Sequence, residues 1–137
     1  MTETRFPSKD RATQEFVNVI QTATPLAGAS GNVANASAVA TLTPSATTTA
    51  YLTGFDIDGS GAAAGAAVTV TVSGLLGVTR SFTYVFATGA AVTNAPYVKR
   101  FAPALQASAI NTPIVVTCPA SGAGGTNLTV NAYGYQL

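Results

Sequence analysis

The residues whose type and spacing could do chemistry are Asp56, Asp58 and Cys118, and the sequence contains no histidine to assist them. General acid–base catalysis most often uses that residue. Ser-His-Asp and Cys-His arrangements are excluded with it. Asp56 and Asp58 stand two apart and share a face if a strand runs through them. A glycosidase needs two carboxyls about 5 to 9.5 Å apart across a sugar. Its cleft is also lined with aromatic groups, and this sequence has no tryptophan. Solubility at the end of a loop is the simpler role for both aspartates. The stretch Asp56-Ile57-Asp58-Gly59-Ser60-Gly61 also fits the opening of a calcium loop, with glycine at the sixth position where the chain must turn. The twelfth position, which should be a bidentate glutamate, is Ala67. A hairpin turn accounts for the same residues, and no metal or cofactor is assigned.

Cys118 is the single cysteine and follows the apolar run Ile114, Val115, Val116, so a buried, inert thiol is expected. There is no G-x-S-x-G elbow and no Gly-Lys-Ser/Thr of a phosphate loop. The run from Gly59 to Gly65 resembles a dinucleotide turn only loosely. Its third glycine comes one residue late, and a strand pattern follows where a helix should. The sequons at Asn35 and Asn127 would matter only in a secreted eukaryotic protein. The reading is non-enzymatic.

The elements that would position these residues are strands. Val68, Val70 and Val72 alternate with Thr69, Thr71 and Ser73 over Ala66–Ser73. Phe82, Tyr84 and Phe86 alternate with Ser81, Thr83 and Val85, and Leu128, Val130 and Ala132 with Thr129 and Asn131. A period of two is what a strand with one buried face produces. Further strands are predicted over Ala36–Leu42, Thr47–Ile57, Tyr97–Phe101 and Thr112–Cys118. Turn residues at Thr43-Pro44-Ser45, Asp58–Gly61, Gly74–Gly77, Thr88-Gly89, Asn94-Ala95-Pro96 and Ser121–Gly125 separate them. The expected fold is all-β, a jelly-roll-like β-sandwich of seven to eight strands over residues 35–137, with an immunoglobulin-like sandwich as the alternative. Residues 1–34 read as an extended or partly helical N-terminal arm. A helical turn or two is expected within Asp10–Ile20, and a glycine hinge at Ala27–Asn32.

Charge narrows the function classes. Charged residues make up 8% of the 137 residues, against about 25% in an average soluble protein. Glu3, Arg5, Lys9, Asp10, Arg11 and Glu15 lie in the arm; the rest of the chain carries only Asp56, Asp58, Arg80, Lys99 and Arg100. A domain that lives free usually keeps itself soluble with charge. A surface of Thr, Ser, Ala, Asn and Gly suits contact with other protein, because uncharged groups are cheap to desolvate. With a net charge of +1 and only Lys99–Arg100 as a basic pair outside the arm, no nucleic-acid footprint is expected. No run approaches the roughly 18 apolar residues of a membrane span. Met1–Asp10 mixes both charges without an apolar core, so no secretory signal is expected and the chain should begin in the cytoplasm.

The segments Leu42–Phe55, the glycine-rich lead into Val68-Thr69-Val70-Thr71-Val72, and Gly124–Tyr135 together resemble small phage virion proteins, over roughly residues 36–137. The family most similar in texture is the jelly-roll cement (decoration) proteins of tailed bacteriophages. The resemblance implies a structural virion protein, assembled in the host cytoplasm, on the outer capsid surface. It implies bridging of neighbouring capsomers of the major capsid protein, and self-association as a homodimer or a trimer. It brings no catalytic residues. On this reading Phe6, Phe16, Val17 and Ile20 would anchor the arm on a partner, with Arg5, Lys9, Arg11, Asp10 and Glu15 pairing at the rim. The alternative is a receptor- or glycan-binding β-module of a phage tail fibre or spike, in which Tyr97, Tyr133 and Tyr135 stack on a sugar.

Overall fold

A computed structural model of the chain describes residues 23–62, 64–89, 95–122 and 127–137. Every regular element among them is a strand: β1 (Thr24–Ala29), β2 (Ala38–Leu42), β3 (Ala50–Ser60), β4 (Ala66–Ser73), β5 (Arg80–Phe86), β6 (Tyr97–Gln106), β7 (Ile114–Cys118) and β8 (Asn127–Gln136). They form two four-stranded sheets, ordered β1-β8-β3-β6 and β2-β7-β4-β5. All pairings are antiparallel, and β1 pairs β8, β2 pairs β7, β3 pairs β6 and β4 pairs β5. This nesting of first with last, second with seventh and so inward is a ribbon of strand pairs rolled into two sheets, the jelly-roll topology.

The buried residues are those that alternation selects. Ala38, Ala40 and Leu42 on β2, Ile114, Val116 and Cys118 on β7, and Leu128, Val130 and Ala132 on β8 face the core. β4 occupies the span predicted for it, Ala66–Ser73. In β3 the alternation breaks. A register shift between Leu52 and Gly54 inserts one residue relative to β8, so Leu52 and Phe55 both point inward although they are three apart. Beyond this bulge Asp56 and Asp58 fall on the outer face of the first sheet.

Three expectations change. Ala27-Gly28-Ala29 is not hinge but the end of β1, and the sandwich begins at Thr24 rather than residue 35. Two constraints hold this segment. A Cβ on Gly28 would collide with the backbone carbonyl of Thr41, so a small residue lets β1 lie close to β2. Ser30 and Val33 also donate backbone hydrogen bonds to Val130 and Leu128, each at 2.9 Å. Second, Asp58-Gly59-Ser60 is not a hairpin turn. These residues pair with Thr129, Leu128 and Asn127 as the end of β3, and the chain turns at Gly61, where φ is 81°. Gly59 is there because the Phe86 ring lies against it, 2.5 Å from where a Cβ would stand. Third, β6 runs past Phe101 to Gln106, through a cis Ala102–Pro103 bond. Proline is tolerated there because β6 is an edge strand. The arm residues Arg5, Phe6, Lys9, Arg11, Phe16, Val17 and Ile20, and the helical turn expected over Asp10–Ile20, lie outside the described residues.

Candidate functional site

The sandwich presents three surfaces of different chemistry. The outer face of the second sheet is built from the positions that alternate with the core. They are Val39 and Thr41 on β2, Val115 and Thr117 on β7, Ala67, Thr69, Thr71 and Ser73 on β4, and Ser81, Thr83 and Val85 on β5. No ionisable side chain stands among them. A four-stranded face of threonine, serine, valine and alanine sheds its water at low cost, since hydroxyls find new partners readily and no charge is stranded.

The outer face of the first sheet is aromatic and polar. Tyr51 of β3 is opposite Tyr135 of β8, and their rings stack with centroids 5.0 Å apart and planes 10° apart. Two pleats further along, Asp56 is opposite Asn131. The Asn131 amide donates to Asp56 Oδ1 at 2.8 Å, and the Tyr133 hydroxyl donates to Oδ2. The Arg100 guanidinium lies over the Tyr133 ring, 5.1 Å from its centroid, because Gly54 on the neighbouring strand leaves room for it. Both Asp56 oxygens are thus engaged by neutral donors from β8, and the carboxylate ties β3 to β8. Asp58, on the same face, is exposed in a shallow notch beside Asn32, Ser60 and Thr129. Among the described residues no three His, Cys, Asp or Glu side chains come together as a metal site would need.

The third surface is the margin where β5 and β6 form the open edges of the two sheets. Here the core ends in rings: Phe55 meets Phe82 at 5.6 Å, Phe101 at 6.1 Å and Tyr97 at 6.3 Å between centroids. Lys99 lies over Phe82 and Tyr97, 5.7 Å and 5.2 Å from the ring centroids. Tyr97 therefore belongs to the core margin. It does not join Tyr133 and Tyr135, so the three-tyrosine sugar platform expected from the sequence is split between two sides of the fold. Tyr51, which takes its place beside Tyr135, was not singled out by sequence reasoning. Period two along β8 places Tyr133 and Tyr135 on one face, but their partner across the sheet is set by a long-range register.

The loops at one end add apolar tips. The β4–β5 loop is tied to the end of β6 and the loop after it by hydrogen bonds from Leu76 to Gln106 and from Ser108 to Gly74. It exposes Leu76 (64%) and Val78 (72%), and Ile110 in the β6–β7 loop is 60% exposed. Thr24 pairs with Gln136, Ala50 with Gln136 and Tyr51 with Gln106, so β1 begins at this same end of the sandwich.

Cys118 is fully buried, and burial pushes its thiol up to about 12 from an ordinary 9.0. Tyr84 is also raised above 10.0, first by burial and then by the nearby Asp58 and Cys118. Its hydroxyl is buried with no hydrogen-bond partner among the described residues. The folded protein keeps the Cys118 proton to higher pH than the unfolded chain does. Stability is therefore full below the unfolded thiol's range, near pH 9, and falls as pH rises from there towards about 12. Tyr84 acts with the same sign at higher pH. Urea unfolding at about pH 8 and about pH 11 should show this decline, and Cys118→Val should reduce it. Equal declines in both proteins would exclude the thiol as a source.

No protein-family model matches the sequence, and no curated protein matches it.

Proposed function

We propose that this chain is a structural, non-catalytic module that decorates and cements the outside of a tailed-phage capsid by bridging neighbouring capsomers of the major capsid protein. The observation that carries the reading is the charge-free outer face of the second sheet, spread over four strands of a two-sheet sandwich. Such a face is poorly suited to keeping a free domain apart from its neighbours and well suited to being covered by protein. The rest of the described surface supports the same reading. Asp56 is occupied by Asn131 and Tyr133, Lys99 and Arg100 lie on rings, and Leu76, Val78 and Ile110 are exposed apolar side chains in loops at one end of the sandwich. Many modest contacts repeated over a lattice add through tethering.

The test is binding to expanded heads prepared without the protein, followed by co-sedimentation and electron microscopy. Saturable binding in a fixed ratio to capsomers is expected. Thr69→Lys with Thr83→Lys, which places two charges on the neutral face, should weaken it about tenfold or more, since each stranded charge loses its water. A protein that stays in the supernatant at every concentration would end the proposal.

A further inference from the structure

The three cations of the described residues all stand at the β5–β6 margin: Arg80 on β5, Lys99 and Arg100 on β6. Arg80 and Lys99 occupy positions in phase with the inward-facing Phe82, Tyr84, Tyr97 and Phe101, so at this open edge they take the place of core residues. The two described aspartates are on β3, not on this margin. A groove of about 470 Å³ runs along it, lined by Arg80, Arg100, Leu75, Leu76, Phe101 and Pro103 among others, with no acidic side chain in its walls. The Arg80 side chain makes no hydrogen bond or ion pair among the described residues.

One wall of the groove is backbone. β6 is paired on one side by β3, at Tyr97–Arg100 and again at Leu105 and Gln106, with Phe101–Ala104 bulging between the two stretches. Its other side is met among the described residues only at its C-terminal end, where Leu76 bonds to Gln106 and Leu75 bridges Ala107. From Tyr97 to Leu105 no described residue pairs with that edge. An open edge recruits an extended chain by strand addition, with side-chain pockets setting the choice of partner. Lys99, Arg100 and Pro103 oppose pairing with a second copy of this cationic edge. Lys99 and Arg100 instead favour an acidic strand, and Pro103, which has no N–H to offer, limits where it can pair.

We propose that the β5–β6 margin is a docking groove for an extended, acidic segment of a partner polypeptide. The segment adds to the β6 edge beside Leu75 and Leu76 and sets a carboxylate against Arg80 and Arg100. The proposal rests on the reading that this chain acts by contact with another protein subunit, and it names the chemistry of one such contact. Hydrocarbon lines much of the groove, and three cations are too few to neutralise a run of phosphates, so a peptide fits and a nucleic acid does not.

The experiment is selection of displayed twelve-residue random peptides on the full chain, with the best peptide then titrated into labelled protein. Enrichment of Asp or Glu flanked by β-branched or aromatic residues is expected, with amide shifts confined to residues 74–80 and 97–106. Arg80→Glu should weaken that peptide about tenfold or more, as loss of a charge-assisted contact implies, and raised salt should weaken it too. Arg80→Gln, which replaces an exposed side chain without a partner, serves as the second variant and should weaken binding with an unchanged fold spectrum. The proposal is overturned by a selection without acidic residues, by shifts on the sheet faces, by binding indifferent to both variants, or by oligo-dT occupying the groove in place of peptide. Peptide binding at the groove together with failure to bind heads would count against the capsid role alone. Head binding with no acidic peptide selected would count against the groove alone.

Discussion

Phe55→Ala is expected to lower the unfolding free energy by about 3–5 kcal/mol, the range for deleting a buried aromatic side chain. Phe55 is fully buried and is the ring on which the margin cluster converges, in contact with Phe82, Tyr97 and Phe101. Two costs combine. The apolar surface of the ring is lost from the core, and the cavity is bounded by edge strands whose rings hold Lys99 in place. Domains of this size have only about 5–15 kcal/mol in total, so the variant should unfold at a much lower urea midpoint with an unchanged slope. Val85→Ala is the control. Val85 is on the outer face of β5, 61% exposed, and a surface truncation there should stay within about 0.5 kcal/mol. A Phe55→Ala loss below about 1 kcal/mol would mean that the margin collapses to fill the space. The aromatic seam would then not be what holds the open side of the sandwich together.

Phe55 also marks where sequence reasoning reached its limit. β4 was legible because Val and Thr alternate without interruption from Val68 to Ser73, and β5 because Phe82, Tyr84 and Phe86 do the same. β3 was legible as a strand but not in its facing, because the bulge at Thr53 changes phase and nothing local announces it. β1 was not legible. Thr-Pro-Leu-Ala-Gly-Ala is poor in strand formers, and it is extended because β8 offers an edge and Gly28 lets it approach β2. The charge-poor surface could be read from composition, but its concentration into one charge-free sheet face could not. That face is assembled from four strands whose order depends on pairings such as β2 with β7. The Asp56–Tyr133 contact joins residues 77 positions apart. Lys99–Arg100 was visible as a basic pair, yet its placement at an open margin beside Arg80 is a product of the nested topology.

Deleting residues 1–22 should leave the sandwich intact, whereas deleting residues 1–34 should destroy it. The shorter deletion stops before Thr24, the first residue paired with β8. The longer one removes all six residues of β1 and the backbone bonds that Ser30 and Val33 make to Val130 and Leu128. At about 1 kcal/mol net for each hydrogen bond, together with the loss of Leu26 from the core margin, the deficit approaches the whole stability of a small domain. It also bares one side of β8, a ten-residue strand, and a long unpaired edge is a site for aggregation. Thermal unfolding should give the shorter variant a midpoint close to that of the full chain, and the longer one no cooperative transition. Equal midpoints for the two deletions would show that β1 carries no structural weight. The difference bears on the capsid proposal. Phe6, Phe16, Val17 and Ile20 all lie before residue 22, so the shorter deletion removes every expected anchor while the face that would meet the shell stays folded. Loss of head binding in that variant would therefore report on the arm itself. The same loss in the longer variant would follow from the missing strand whether or not the arm touches a capsid.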